Sequence, residues 1–247
     1  MTVRRLRVIA GPNGSGKSSV FPRIQDHVHT GHYLNPDELA LRFHREGLFD
    51  LTHFNLTPEP DALRHYLHRN RAFVHKAEQA GEPITLHLRG KHLVVESRER
   101  TGYTASLAAG FLREQFVASG QSFSFESVLS DPSKLMEIEA AKEAGYRIYL
   151  YFVCTENADI NVARVANRAL LGGHSVPEAR IRERYQRTLG NLPQAFLLSD
   201  RAYLFDNSGE AMVLVLEADG HHLHVRSDAL PSWVEDHLLI PLNLPRG

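Results

Sequence analysis

The chain has 247 residues, of which 43% are hydrophobic and 23% are charged, and its formal net charge is −1. This length suits one domain spanning 1–247, with room for an insertion, and the apolar content excludes a disordered chain. No apolar run approaches the roughly 20 residues that cross a bilayer, so the sequence predicts no membrane protein. The single cysteine, Cys154, cannot form an internal disulfide, and we expect a cytoplasmic protein.

The first half of the chain starts with a short buried strand, Val8-Ile9-Ala10, that runs into a glycine-rich stretch. A helix start is predicted at Asn35, because Pro36 suits the first helical position and Glu38 is placed to be the capping partner of Asn35. The other elements expected here are a helix to about residue 24, a second strand at 33–34, a helical region over 54–80, a β-hairpin formed by 84–88 and 92–96, and a helix over 105–118.

The second half of the chain alternates strands with helices. Strands are predicted over 121–128, 147–154 and 202–205, and helices over 133–144 and 158–171. A further helix is expected to start near Ser175, with Glu178 completing a capping box. Asp219-Gly220 favours a turn between strands at 212–217 and 222–226.

This order of elements predicts the fold class. Alternating strands and helices form βαβ units and a parallel sheet. Residues 50–102 interrupt the alternation and are predicted to be an α+β insertion, a helix plus a β-hairpin. The expected architecture is therefore an α/β fold of the P-loop NTPase or nucleotide-kinase type, a parallel sheet flanked by helices.

The glycine-rich stretch fits the pattern G-x-x-x-x-G-K-[ST], with a strand before it and a helix after it. Its glycines let backbone N–H groups surround phosphate oxygens, and the following helix presents its positive end to the same anion. Lys17 is expected to contact the β- and γ-phosphates and Ser18 to bind Mg²⁺. The pattern indicates nucleoside triphosphate binding and leaves the phosphoryl acceptor open. The expected nucleotide-binding residues are Gly11, Pro12, Asn13, Gly14, Ser15, Gly16, Lys17, Ser18 and Ser19.

Phosphoryl transfer to a hydroxyl needs a carboxylate to accept its proton. Asp37 is the leading candidate, because it follows a strand at the edge where α/β sheets bind ligands, although the helix dipole alone also favours an acid there. Glu126, with the hydroxyl of Ser127 beside it, could hydrogen-bond a sugar. The alternative for Glu126 is an ordinary exposed glutamate at a strand end.

Arginines concentrate in two predicted helices and their connection, where Gly172 and Gly173 would permit a hinge. Cations that meet the equatorial oxygens of a transferring phosphoryl group stabilise it. We expect Arg168 and one of Arg182 or Arg184 to do so, with the rest forming a solvated basic face. The full set is Arg164, Arg168, Arg180, Arg182, Arg184 and Arg187.

The histidines and the basic insertion are less specific. The histidines at 27, 29 and 32 and at 221, 222 and 224 lack partners at metal-ligand spacing, so we expect no metal site there. The insertion carries six basic residues between 64 and 91 and could bind a substrate phosphate, a nucleic acid or a partner protein, or be a solvated decoration. The near-zero net charge argues against a dedicated nucleic-acid binder.

Several ordered segments resemble the zeta toxin family of P-loop kinases. They are IAGPNGSGKSS, NPD, FSFESVLS, AGYRIYLYFV, RVANRALLGGHSVPE continuing into IRERY, NLP and YLFDNSG. The resemblance implies a kinase that uses ATP and Mg²⁺ and an acceptor on a nucleotide sugar. That acceptor is typically the 3′-hydroxyl of the amino sugar in UDP-N-acetylglucosamine. Such kinases often act as toxins that interfere with cell-wall synthesis and are held off by a small antitoxin protein.

Carried over by position, the resemblance makes Lys17 and Ser18 the ATP and Mg²⁺ residues, Asp37 the base and Glu126 a sugar ligand. The chain departs from the family where many relatives have two threonines, since Ser127 and Val128 stand there, and its insertion is longer. Two alternatives stay open. One is a kinase acting on another metabolite or a nucleic-acid end, and the other is an ATP-binding regulatory module with little turnover.

Overall fold

The computed structural model describes residues 3–99, 101–171, 176–220 and 222–245. By their internal contacts the residues form two compact units. The first unit comprises the chain up to Gly31 together with Ser124 onward, and the second unit is His32–Phe123. The first is built around a mostly parallel sheet, and the second around packed helices and a small antiparallel sheet.

The strands, in chain order, are β1 (Arg5–Ala10), β2 (His32–Leu34), β3 (Leu48–Asp50), β4 (Leu86–Arg89), β5 (His92–Val95), β6 (Phe123–Ser127), β7 (Arg147–Cys154), β8 (Arg201–Asp206), β9 (Val213–Asp219) and β10 (His222–Val225). The α-helices are α1 (Val20–Gln25), α2 (Pro36–Glu46), α3 (Ala62–Arg69), α4 (Arg71–Gln79), α5 (Gly102–Ser119), α6 (Ser133–Glu143), α7 (Ala158–Leu170), α8 (Glu178–Gly190), α9 (Leu192–Leu198) and α10 (Ser232–Val234). None of these helices has both the length and the apolar character that a membrane crossing requires.

The sheet of the first unit has the strand order β10-β9-β8-β7-β1-β6. Strands β1, β7 and β8 are parallel, while β9 and β10 continue the sheet as an antiparallel hairpin. This arrangement confirms the predicted α/β fold with its parallel sheet and flanking helices. It also confirms the hairpin expected around Asp219-Gly220.

The core of the first unit is made by apolar side chains on the central strands. Val8, Phe152 and Leu204 lie on neighbouring strands of one sheet face and are fully buried. Trp233 of α10 packs against Phe152, with 5.8 Å between ring centroids. Helices α6 and α9 pack on each other and on β7. The apolar run of β7 is therefore the centre of the unit, as expected for a strand covered by helices.

The second unit pairs α2 with α5 and contains a sheet of order β3-β5-β4. The predicted hairpin is confirmed as β4 and β5, and the second strand as β2. The helical region expected over 54–80 is confirmed from Ala62 onward, as α3 and α4. Its expected start is wrong, because Pro58 and Pro60 cannot donate backbone hydrogen bonds. Asn70 then ends α3, since its side chain donates to Tyr66 O, and α4 follows.

The start of one helix and the presence of three short elements differ from the sequence prediction. Helix α8 begins at Glu178, with Pro177 before it and no side-chain cap, while Ser175 lies outside the described residues. Helix α9, α10 and strand β3 were not predicted. Each is seven residues or fewer and is stabilised by burial, which periodicity does not reveal.

Candidate functional site

The phosphate loop, residues 11–18, connects β1 to α1 through a short 3-10 turn at Lys17–Ser19. Gly11 N donates to Ser127 O at 3.3 Å, so the loop lies beside the end of β6. A Cβ atom at Gly11 would stand only 2.0 Å from Val153 O of β7. The loop is thus pressed against the carboxyl ends of the two strands that flank β1 in the sheet, the edge at which α/β sheets bind ligands.

The phosphate loop holds several hydrogen-bond donors that the protein itself does not use. The amides of Gly14 and Gly16 have no partner within the described part of the chain, and the buried Ser15 Oγ has none either. Lys17 Nζ donates to Pro12 O at 2.8 Å, which keeps the ammonium group over the loop. Converging backbone and side-chain donors with a nearby cation fit a phosphate chain.

Ser18 is suited to the Mg²⁺ role predicted for it. Its side chain is exposed, and among the described residues its hydroxyl makes no hydrogen bond. A hydroxyl oxygen is a ligand that Mg²⁺ accepts, usually together with phosphate oxygens and water. No group of three or more His, Cys, Asp or Glu side chains that could hold a metal ion occurs in the described ranges; His221 lies outside them.

Two asparagines from distant parts of the sequence bind carbonyl groups of the phosphate loop. Asn161 of α7 is fully buried and donates from Nδ2 to Asn13 O at 2.6 Å, while Thr155 donates its hydroxyl to Asn161 Oδ1. Asn207, which directly follows β8, donates from Nδ2 to Ser15 O at 2.8 Å. The loop is therefore braced from two elements of the first unit.

The turn that carries Asn207 is itself fixed. Arg164 of α7 donates to Asn207 O at 2.7 Å and to Gly209 O at 3.4 Å. Asp206 accepts hydrogen bonds from the Ser208 amide and hydroxyl and from the indole N–H of Trp233. Arg164 belongs to the arginine set but was not one of the arginines expected to meet the phosphoryl group, and in the structure it anchors this turn.

Glu126 and Ser127 lie at the end of β6, next to the phosphate loop, and both side chains are half-buried. Ser127 Oγ accepts a hydrogen bond from Leu129 N at 3.0 Å, in a turn where Leu129 takes a left-handed conformation, φ 58°. Thr188 of α8 donates to Val128 O at 2.7 Å and fixes the same turn. The structure thus brings Glu126 and Ser127 to the loop.

The arginines proposed for the phosphoryl group have different surroundings. Arg184 Nη1 lies 3.5 Å from Oδ1 of Asn13, within the phosphate loop. Arg182 instead forms ion pairs with Asp159 and Glu178, at 2.6 and 2.8 Å. Of the two alternatives, the structure brings only Arg184 to the loop.

The other parts of the predicted arginine segment are Arg168 and the two glycines of the proposed hinge. Arg168, near the end of α7, is exposed. Gly172 and Gly173, the proposed hinge, lie outside the described residues. Ile181 and Tyr185 of α8 are buried.

Asp37 belongs to the second unit, in the first turn of α2. The predicted N-cap is confirmed, because Asn35 Oδ1 accepts a hydrogen bond from Asp37 N at 2.9 Å. The carboxylate of Asp37 is exposed. Glu38, expected to complete the cap, instead lines a small cavity of about 160 Å³ together with Arg42 and His53.

Cys154 and Tyr185 are buried, and burial raises the pKa of both side chains. Burial raises the pKa of the Cys154 thiol to about 12. Burial also raises the pKa of the Tyr185 phenol well above its usual range, and its hydroxyl donates to Thr155 O. Both side chains belong to the core behind the phosphate loop, so the chemistry of the site rests on the loop and its neighbours.

Three residues that brace the loop or its asparagines had no predicted role: Asn161, Asn207 and Thr155. A signal existed for Asn207, since a polar residue directly after a buried strand lies at the ligand-binding edge of an α/β sheet. Asn161 offered none, because a single asparagine within a helix is ordinarily solvent-exposed. Its role becomes visible only once α7 is placed against the loop.

Comparison with known proteins supports the fold. No protein-family model matches the sequence. A curated protein of Haemophilus influenzae, described as uncharacterized, is 35% identical over 63 residues, which are 26% of this chain. The match spans 45% of the length of that relative. This similarity is too short to assign the chain to a family.

The sheet and phosphate loop define a P-loop kinase-like α/β fold, and solved structures share it. The complex AvrRxo1-ORF1:AvrRxo1-ORF2 with sulphate ions contains a chain that is 18% identical, with a TM-score of 0.53, over 95% of this chain and 63% of that one. The same complex with ATP gives 17% and 0.52, over 91% and 61%. The PezAT toxin–antitoxin system of Streptococcus pneumoniae gives 11% and 0.52, over 97% and 80%.

Proposed function

We propose that this protein is an ATP-dependent kinase that transfers the γ-phosphate of ATP to a hydroxyl group of a small molecule. The observation that carries the proposal is the braced phosphate loop, which holds Lys17 over it and lies beside the end of β6, the strand that carries the half-buried Glu126. A loop of this kind binds a triphosphate, and polar groups at the adjoining strand end suit an acceptor rather than a closed structural turn.

The proposed roles follow from the chemistry of each group. Lys17 neutralises charge on the β- and γ-phosphates, and Ser18 would hold Mg²⁺, which supplies further charge neutralisation when bound. Arg184 is the arginine proposed to meet the transferred phosphoryl group, with Arg168 as a second cation. Asp37 is proposed to accept the proton of the attacking hydroxyl, a role that rests on the family resemblance.

We propose a nucleotide sugar as the acceptor, with UDP-N-acetylglucosamine and its 3′-hydroxyl as the leading candidate and Glu126 as a sugar ligand. Phosphorylation of that precursor would interfere with cell-wall synthesis, which makes a toxin role and a small antitoxin partner part of the proposal. The similar folds of PezAT, a toxin–antitoxin system, and of the AvrRxo1 complex with ATP support this direction.

A different acceptor is the second candidate, and one observation favours it. The hydroxyl of Ser127 accepts a hydrogen bond from Leu129 N, and Val128 supplies no hydroxyl. The polar contacts available to a sugar at this strand end are therefore fewer than in the family pattern. Another metabolite, or a nucleic-acid end bound by the basic insertion, would then be the acceptor.

The test is a panel of nucleotide sugars, other metabolites and nucleic-acid ends incubated with the purified protein and γ-labelled ATP. Label on UDP-N-acetylglucosamine supports the leading acceptor, and label on another compound supports the second candidate. Lys17→Ala is the matched control, because it removes the charge that meets the triphosphate and should abolish labelling. ATP binding without label on any compound refutes the kinase proposal and favours a regulatory module.

A further inference from the structure

The brace on the phosphate loop has a geometric consequence for its amides. In a trans peptide unit the C=O and the N–H point in opposite directions. Ser15 O and the amide of Gly16 belong to one such unit. Because Asn207 holds Ser15 O, the Gly16 amide is held pointing away from Asn207.

The second asparagine acts in the same way two peptide units earlier. Asn161 holds Asn13 O at 2.6 Å, and this carbonyl shares its peptide unit with the amide of Gly14. Thr155 fixes the orientation of the Asn161 amide group, because its hydroxyl donates to Oδ1 and leaves Nδ2 for the loop. Neither of these two loop amides has a hydrogen-bond partner in the described structure.

The loop needs such a brace, since glycine peptides rotate freely. Gly14 and Gly16 have φ values of 80° and 96°. Glycine adopts positive and negative φ values about equally readily, so its backbone is not fixed in this conformation by its own preference. An amide that must be ordered when the anion arrives binds more weakly than one already in place. Fixing the carbonyl from behind removes that ordering cost and leaves the donor available.

We propose that Asn161 and Asn207 are positioning residues for the phosphate chain. They hold the outer carbonyls of the loop and thereby orient the amides of Gly14 and Gly16 toward the β- and γ-phosphate oxygens. This inference rests on the proposed function in its ligand, a triphosphate, and does not depend on the identity of the acceptor.

Asn207→Ala removes one brace and leaves the loop sequence intact. Asn191→Ala is the matched control, because Asn191 also donates from Nδ2 to a backbone carbonyl at 2.8 Å, that of Leu129, in the same unit. Calorimetry with ATP and with inorganic tripolyphosphate measures the phosphate contacts. The order parameter of the Gly16 amide in ligand-free protein measures its alignment.

The expected result for Asn207→Ala is a loss of at least tenfold in affinity for both anions. The order parameter of Gly16 should fall from the rigid value of about 0.85 to below about 0.6. Asn191→Ala should keep anion affinity within twofold of the wild type. Asn161→Ala is the second variant, with the same expectation at Gly14, so the test does not depend on the folding of a single mutant.

Anion affinity within twofold of the wild type in both variants overturns the positioning role, whatever the order parameters do. Equal losses in Asn191→Ala also overturn it, because the effect would then be one of general stability. Wild-type protein that binds neither anion refutes the proposed function and this inference with it. The two failures are therefore distinguishable by the wild-type titration alone.

Discussion

The contact between Gly16 and Asn207 makes Gly16→Ala an informative substitution. A Cβ atom at Gly16 would lie 2.3 Å from Asn207 Nδ2, so the asparagine must move and its hydrogen bond to Ser15 O is lost. Gly145→Ala is the matched control, since Gly145 also has a positive φ, 83°, but nothing lies within 4 Å of its Cβ position.

The magnitudes follow from these two environments. A left-handed conformation costs an L-residue roughly 1–2 kcal/mol, and the lower entropy of the unfolded alanine chain offsets about 0.4–1 kcal/mol. Gly145→Ala should therefore lower the free energy of unfolding by about 1 kcal/mol. Gly16→Ala adds the loss of one hydrogen bond, about 1 kcal/mol, and the displacement of Asn207, so we expect about 2–3 kcal/mol.

Urea unfolding followed by the emission of Trp233 measures both variants. Trp233 is the only tryptophan, it is 2% exposed, and it lies in the same unit as both glycines. Gly16→Ala should also weaken ATP binding, whereas Gly145→Ala should not. If the two variants lose the same stability and keep the same affinity for ATP, the contact between Gly16 and Asn207 has no energetic role and the reasoning is refuted.

Three further predictions concern the chemistry of the site. Asp37→Asn should keep ATP affinity but lower phosphoryl transfer at least ~10²-fold, the lower end of general-base effects, and near-normal transfer in the labelled-ATP assay would remove Asp37 from its role. Arg184→Met should lower the rate of phosphoryl transfer at least tenfold, whereas Arg182→Met, which breaks only exposed ion pairs, should change that rate less than twofold. A larger loss in Arg182→Met than in Arg184→Met contradicts the assignment. Because burial raises the pKa of Cys154 to about 12, its thiol stays protonated at pH 8 and should not react with Ellman's reagent until the protein unfolds in urea; rapid reaction of the native protein contradicts its burial.

Local patterns in the sequence were sufficient for the phosphate loop and most strands. The apolar run of β7 and the cap at Asn35 are interactions between near neighbours, so their signals lie within a few residues. The start of the helical region predicted over 54–80 was wrong for a local reason as well, because the helical periodicity was followed through the two prolines before Ala62. The sequence therefore predicts an element reliably when its stabilising contacts are close along the chain.

The candidate site was only partly predictable, because competition between distant groups decides which residues reach the loop. Arg182 and Arg184 are about 200° apart around α8, so only one can face a given neighbour. The ion pair of Arg182 with Asp159, on another helix, is invisible to helical periodicity. The same limit applies to Asn161 and Asn207, whose partners lie in the loop near the start of the sequence.

The separations involved have a consequence for the synthesis of the protein. The contacts that hold the phosphate loop span 148, 171 and 192 residues, those of Asn161, Arg184 and Asn207. Contacts so distant in sequence form late in folding, because closing a long loop costs conformational entropy before the contact can stabilise the chain. A ribosome-bound chain that stops short of Asn207 carries the complete motif yet lacks one of its two asparagine braces. Nucleotide affinity should therefore mature only after Asn207 has left the ribosome, which delays any activity until both braces can form.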